Sequence, residues 1–411
     1  MSNPQSPPLT LMCPDPKIHA DEIYDLTGKV FSGGNEYYWW QKYCREYYFG
    51  NSHYDWSAST IGLMDGHIVT HWGVWDYAMR VGTARVKCGG IGAVATDGRY
   101  RNRGLMTFTG NDNMTRMRAC GYDISVLFGK HDFYHRYGYV RSWAGMHWSI
   151  GVAELPAEKP QAKPVLLESP PRGAFDRLYN RCHARLTGTA VRPTYRGSML
   201  MWGNKHFAWP ARGHSAGKDA GLDGYIICSF GGLDVNVIEF AGQTDQVLRA
   251  LRVLADKNGC KKINFMCLHH DSDLCRRIRR LSCSCSTNYI RNGGEMVAMI
   301  NLPTTMAKMT GELSRRLKNS ELAAWRGDLL IEDQTGQALL KIDRGHVSVS
   351  KPAASKNAIR GGMHVVQLVI GTQDPFETVE AAGIKLSGQA KRLLPTLFPD
   401  QHPTLSQRDH F

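Results

Sequence analysis

The residues best equipped for chemistry fall together between positions 89 and 139. Arg101 and Arg103 carry forked, permanently charged donors that suit phosphate oxygens. Gly104 lets an anion approach the backbone with no Cβ in the way. If a helix begins at Leu105, its free N–H groups and positive dipole end add to the same anion site. Further on, Tyr134 offers a phenol with a reference pKa of about 10, able to donate a proton to a leaving group such as a thiolate. The same residues also suit a solvated basic turn and a tyrosine packed under a sheet, so the elements that position them decide between the readings.

Those elements are legible. Residues 91–96 (IGAVAT) are apolar and β-branched, as a buried strand requires, and Asp97–Gly98 breaks them. From Leu105 the pattern turns helical, with Phe108, Met114, Met117 and Cys120 along one side and Gly121 as the stop. Residues 124–128 (ISVLF) read as a second buried strand. Strand, helix and strand then form a right-handed crossover with parallel strands. Ligands in such sheets lie beyond the carboxyl ends of the strands, where residues 101–104 and 129–130 converge. A further helix over residues 131–137 carries Tyr134 and ends at Gly138.

Strand, R-x-x-G-x-x loop (RYRNRGLM), helix, strand and FYHRYGY together resemble the acetyl-CoA core of the GNAT N-acetyltransferase superfamily, and within it the Eis-type (enhanced intracellular survival) acetyltransferases. The usual superfamily loop is R/Q-x-x-G-x-G/A. Met106 stands at its last position, where Eis-type proteins also tend to carry a larger apolar residue. The resemblance implies that Val94, Ala95 and Thr96 pair with the pantetheine arm. It implies further that Arg101, Asn102, Arg103, Gly104, Leu105, Met106 and Thr107 cradle the pyrophosphate, that Gly129 and Lys130 also face acetyl-CoA, and that Tyr134 is the general acid.

The chain has 411 residues, enough for two to four domains with cores of their own. Hydrophobic residues make up 42% and charged residues 21%, ordinary values for globular protein. No apolar run approaches the roughly 18–20 residues that span a bilayer. The start, MSNPQSPPLTLM, lacks the basic and apolar blocks of a signal peptide. Eleven cysteines without regular spacing indicate reduced thiols, not a disulfide framework, so a cytoplasmic location is expected. The net charge of +13 admits an acidic partner. Its densest cluster, Arg276, Arg277, Arg279 and Arg280, spreads around a helix, and no nucleic-acid recognition pattern accompanies it. Cys267, His269, His270, Cys275, Cys283 and Cys285 match no common zinc spacing, so no metal is expected.

The expected fold class is α/β (α+β). The boundaries are 1–156 for a catalytic GNAT domain, 157–302 for a degenerate GNAT-like domain and 303–411 for a sterol-carrier-protein-like α+β domain. In the first, residues 18–48 are helical and rich in aromatic rings, and residues 57–96 form an antiparallel meander with a hairpin at Asp65–Gly66. Proline-rich residues 155–172 read as a linker. The second repeats strand, helix and strand, with Thr244 as the helix cap, yet AGQTD replaces the arginine loop, so no acetyl-CoA site is expected there. The third combines hairpin strands with helices and resembles the domain that closes Eis-type chains, its lipid tunnel expected to be filled by side chains.

The Eis-type resemblance also implies that the α-carboxylate of Phe411 enters the active site as general base. An α-carboxylate has a reference pKa near 3.5, which an apolar cleft raises. The implied reaction is direct acetyl transfer to a primary amine, an aminoglycoside-like small molecule or a peptide lysine. A homohexamer is implied as well, without membrane insertion. Asp25, Glu36, Asp55 and Asp409 are candidates for receiving a cationic acceptor. A non-catalytic CoA-binding scaffold or a lipid carrier is the alternative.

Overall fold

The computed structural model describes residues 9–32, 36–50, 52–194, 203–210 and 221–411; the first eight residues of the amino-terminal stretch read above lie outside them. The meander is present. β1 (Thr60–Met64) passes through Asp65 and Gly66, both at positive φ, into β2 (His67–Val81), which pairs antiparallel with β3 (Ala84–Thr96). Parallel pairing needs a crossover rather than a hairpin, and α1 (Leu105–Ala119) supplies it, delivering β4 (Ile124–Lys130) parallel to β3.

Two strands then change sheets. β5 (Gly145–Gly151) pairs antiparallel with Lys262–Phe265 and Cys283–Asn288 in the second sheet. β6 (Asn292–Met299) returns to the first and lies between β4 and Val140–Arg141. Eight described strands form the first sheet and seven the second. In the second, Asp234–Gly242, the helix Thr244–Lys257 and the parallel strand Lys262–Phe265 repeat the strand–helix–strand order. The helix cap is Gln243 rather than Thr244. Its side chain accepts from the Gln246 N–H at 2.8 Å, which places Thr244 in the first turn. Within the proline-rich segment, Val165–Leu167 pairs with the strand Lys205–Pro210 as an edge strand of the same sheet.

The third sheet, of five described strands, spans Arg326–Asp333 to Lys385–Ser387. A helix at Leu302–Lys318 starts at the Asn301 cap and buries Met306, Met309, Leu313 and Leu317 completely. These share one core with Met79, Val86 and Val126 of the first sheet and Leu329, Ile331 and Leu340 of the third. Each such side chain contributes roughly 1.5–3 kcal/mol, so the carboxyl-terminal part is bonded to the face of the first sheet by packing. Leu393, Leu394 and Leu397, on the helix Ala390–Leu397, are completely buried in the same core. Arg276 and Arg277 pair with Asp273 and Asp245 on a partly solvated helix. Among the described residues no helix is long and apolar enough to cross a membrane.

Candidate active site

β3 and β4 pair from Cys88–Ile124 to Ile91–Leu127 and then part, although both continue, to Thr96 and Lys130. A bulge in β3 marks the parting. Ala93 and Val94 face the single residue Trp72 of β2, and Ala93 takes a φ of 49°, unusual for a residue with a Cβ. His71 holds it. Burial pushes that imidazole down to about 4, so the ring is neutral. Its Nδ1 lies 2.7 Å from the Ala93 carbonyl, which can only accept, so Nδ1 carries the proton. Nε2 then accepts from the Tyr54 hydroxyl at 2.7 Å. Sequence reasoning missed this pair, because a histidine in a strand pattern gives no sign of what lies opposite.

The wedge between the parted strands opens into a cavity of about 890 Å³. Val94 and Thr96 line it from β3, residues 101–107 from the loop and the start of α1, and Gly129, Lys130 and Tyr134 from the far side. Ala95 turns away into the core beside Ile61 and Trp75. In the loop, Asp97 accepts from the Arg99 backbone and side chain. Gly104, at φ 74°, caps α1 and has open space where a Cβ would stand. Arg101, Arg103 and Lys130 make no ion pair with a described residue, so their charge is available to an anion at the helix start. The Tyr137 hydroxyl donates to the Met106 carbonyl at 3.1 Å, a brace for the loop that the sequence did not reveal.

The predicted helix divides into an α-turn at His131–Tyr134 and a tighter turn at His135–Tyr137, ending at Gly138 with φ 84°. Tyr134 lies against Gly129, where a Cβ would come within 2.4 Å of its ring, and meets Trp72 edge-on at 5.8 Å. Burial pushes its phenol up to about 12, so it keeps its proton at neutral pH. The hydroxyl makes no hydrogen bond to a described residue.

Phe411 is not among the residues lining the cavity, but it touches one that is. Its ring sits over Gly90, in the space a Cβ would take, and 5.5 Å from the ring of Phe128. His410 packs on Phe128 at 4.1 Å. The segment ahead of these rings is anchored to the second sheet. Arg192 donates to Asp409 at 2.9 Å and to Glu239 at 2.8 Å, and Arg408 also reaches Glu239. Burial alone would raise the Glu239 carboxyl; Arg192 and Arg408 instead hold it well below the usual range.

The four acidic candidates do not gather. Asp409 belongs to this buried network. Asp55 caps the turn at Ser57 and accepts from Tyr122. Asp25 pairs with Lys29 on the helix Pro16–Phe31, and Glu36 is exposed just ahead of the helix Tyr37–Tyr43. Of the six cysteines and histidines considered for metal, His270 comes within 4.8 Å of Asp271 and His402. Arg279 donates to the His270 Nε2 there at 2.8 Å, an arrangement that opposes a cation.

Residues 17–141 match the family model described as an acetyltransferase (GNAT) domain. No curated protein sequence matches the chain. Among solved structures, a GCN5-related N-acetyltransferase from Kribbella flavida matches with a TM-score of 0.73 at 19% identity, over 100% of both chains. A probable N-acyltransferase from Enterococcus faecalis V583 gives 0.69 at 16%, covering 97% of this chain and 99% of its own. Eis1 from Mycobacterium abscessus gives 0.69 at 14%, with the same coverage. At such identities the likeness speaks for the fold, and together with the domain match at residues 17–141 it supports an acetyltransferase.

Proposed function

We propose that the chain is an Eis-type N-acetyltransferase that moves the acetyl group of acetyl-CoA directly to a primary amine. The observation that carries this is the parting of β3 and β4 beside an anion-ready helix start, with a protonated tyrosine across the wedge. Acetyl-CoA fits that arrangement as a co-substrate. Residues 101–107 would receive its pyrophosphate, and the backbone of Val94 to Thr96, unpaired with β4, would take the pantetheine amides as another strand would.

The acceptor nitrogen then attacks the thioester carbonyl carbon. The oxyanion that develops needs a backbone N–H donor nearby. As the C–S bond breaks, Tyr134 gives its proton to the CoA sulfur and regains one from solvent. The α-carboxylate of Phe411 takes the proton that the nitrogen loses. Support for that last role comes from the seat of its ring over Gly90 and beside Phe128. We assign residues 1–156, 157–302 and 303–411 to catalytic, degenerate and sterol-carrier-like units, with β5 and β6 exchanged between the first two. The second has no arginine loop after its central strand.

The test is thermal stabilisation by acetyl-CoA followed by release of CoA thiol with a panel of primary amines. Stabilisation with turnover supports the reading. Stabilisation without turnover favours a CoA-binding scaffold, and stabilisation only by apolar ligands favours a lipid carrier; either would sink it.

A further inference from the structure

Glu295 stands out among the acidic residues near the site. It lies on β6 directly across from Phe128 of β4. Residues paired across antiparallel strands project from one face. The next pair on this face, Val126 and Val297, belongs to the core against which Phe411 packs. The intervening pair, Leu127 and Met296, points to the opposite face with Tyr134. Glu295 therefore shares the face that carries Phe411. At the start of the same strand, Asn292 and Gly293 line the cavity.

No described residue neutralises it. Glu295 is half-buried and makes no ion pair with a described residue. Burial raises its carboxyl, and among the described residues the one opposing influence is its own backbone N–H, with no lysine, arginine or histidine contributing. Arg141, on the neighbouring strand, pairs with Met296 and so faces away. Cys267 is close enough to feel the Glu295 charge, after burial and Glu239, and its thiol donates to the Leu405 carbonyl at 3.1 Å. The carboxylate is thus within electrostatic range of a group that bonds to the segment leading to Phe411. A second unanswered group adjoins it. The Ser142 N–H donates to the Glu295 carbonyl at 3.0 Å, while the Ser142 hydroxyl, on a residue only 4% exposed, has no hydrogen-bond partner among the described residues.

A withdrawn carboxylate without a cation is costly, and a substrate cation would relieve that cost. The reacting nitrogen already has a carboxylate in that of Phe411, so the cation that Glu295 receives is a different one. Resting on the transferase reading above, we infer that Glu295, with the Ser142 hydroxyl beside it, holds a second, non-reacting ammonium group of the acceptor and selects for diamines over monoamines.

The experiment uses the full chain with saturating acetyl-CoA and two probes, 1,5-diaminopentane and 1-aminopentane. The wild type should show the lower KM for the diamine. Glu295→Gln should raise that KM by about tenfold or more, the scale of a lost hydrogen bond to a charged group. Its kcat, its KM for acetyl-CoA and its KM for the monoamine should stay within about twofold, on the same scale, and Glu295→Asp should recover part of the difference. An equal effect on both amines, no effect, a loss confined to kcat, or a wild type that prefers the monoamine overturns the assignment to Glu295 and leaves the transferase reading standing. A wild type that acetylates neither these probes nor any amine of the panel overturns both.

Discussion

Replacing Gly90 with alanine tests the placement of Phe411 most directly. A methyl carbon at that position would lie 2.4 Å from Cδ1 of the Phe411 ring. Carbon atoms in contact rest about 3.5 Å apart or more, so the ring must withdraw by about 1 Å. At a group with the role proposed for Phe411, a displacement of that size costs on the order of 10²-fold, about 2.7 kcal/mol of barrier. The strand itself should not suffer, because alanine loses less conformational freedom than glycine there. The cofactor loop lies elsewhere in the wedge. Steady-state kinetics with a saturating amine should therefore show kcat falling about a hundredfold, while calorimetric titration shows unchanged acetyl-CoA affinity. A Gly90→Ala enzyme with wild-type kcat would refute the link between the ring's seat and the chemistry. An equal loss of acetyl-CoA affinity would refute the claim that this face belongs to the acceptor.

Tyr134→Phe removes the proposed proton donor and leaves the ring against Gly129; kcat should fall by roughly 10²–10⁴-fold with acetyl-CoA binding intact, as single-turnover and binding measurements would report. Arg192→Ala leaves Asp409 buried without its cation. Urea denaturation should show a loss of about 3–5 kcal/mol, and activity should fall as the segment before Phe411 comes loose. The Glu239 carboxyl, depressed in the folded state, makes the unfolded chain the better proton binder at low pH. Its stabilisation is complete above the ordinary glutamate range and declines as pH falls below it. Glu312, held at about 2 by Arg315, Arg316 and Thr83 against the opposing effect of burial, acts in the same direction. Urea midpoints should therefore drop between pH 6 and pH 3, and less steeply in Arg192→Ala; a rise on acidification would contradict the pairing.

Much of the loop and helix start proposed to receive acetyl-CoA is written locally. The break at Asp97–Gly98, the arginines and Gly104 are neighbours in sequence, so strand, loop and helix follow from short-range pattern and turn chemistry. The parallel pairing of β3 and β4 follows too, since a helix between two buried strands leaves few alternatives. What escaped notice depends on partners far away. His71 acts on Ala93 through a bulge that shows no glycine signal. Gly90 reads as one more small residue in GGIGA until the ring of Phe411 is found above it. Asp409 looked like an acidic group for a substrate, yet Arg192, more than two hundred residues away, already occupies it. Glu295 drew no attention because an acid in an alternating strand looks solvent-facing. Even the cap at Gln243 was hidden, since threonine is the commoner signal and the glutamine lies one residue earlier.

The exchange of β5 and β6 has a consequence for how the chain reaches this state. As the protein emerges from the ribosome, β4 appears with one flank lacking a strand that will be made some 160 residues later. Until then its free N–H and C=O groups form an open edge, the kind that recruits foreign strands. The second sheet, conversely, must take β5 from a segment already synthesised. The second sheet can therefore close as soon as its own strands emerge, whereas the first cannot close until β6 follows them. Nascent chains halted before β6 would be natural clients for chaperones.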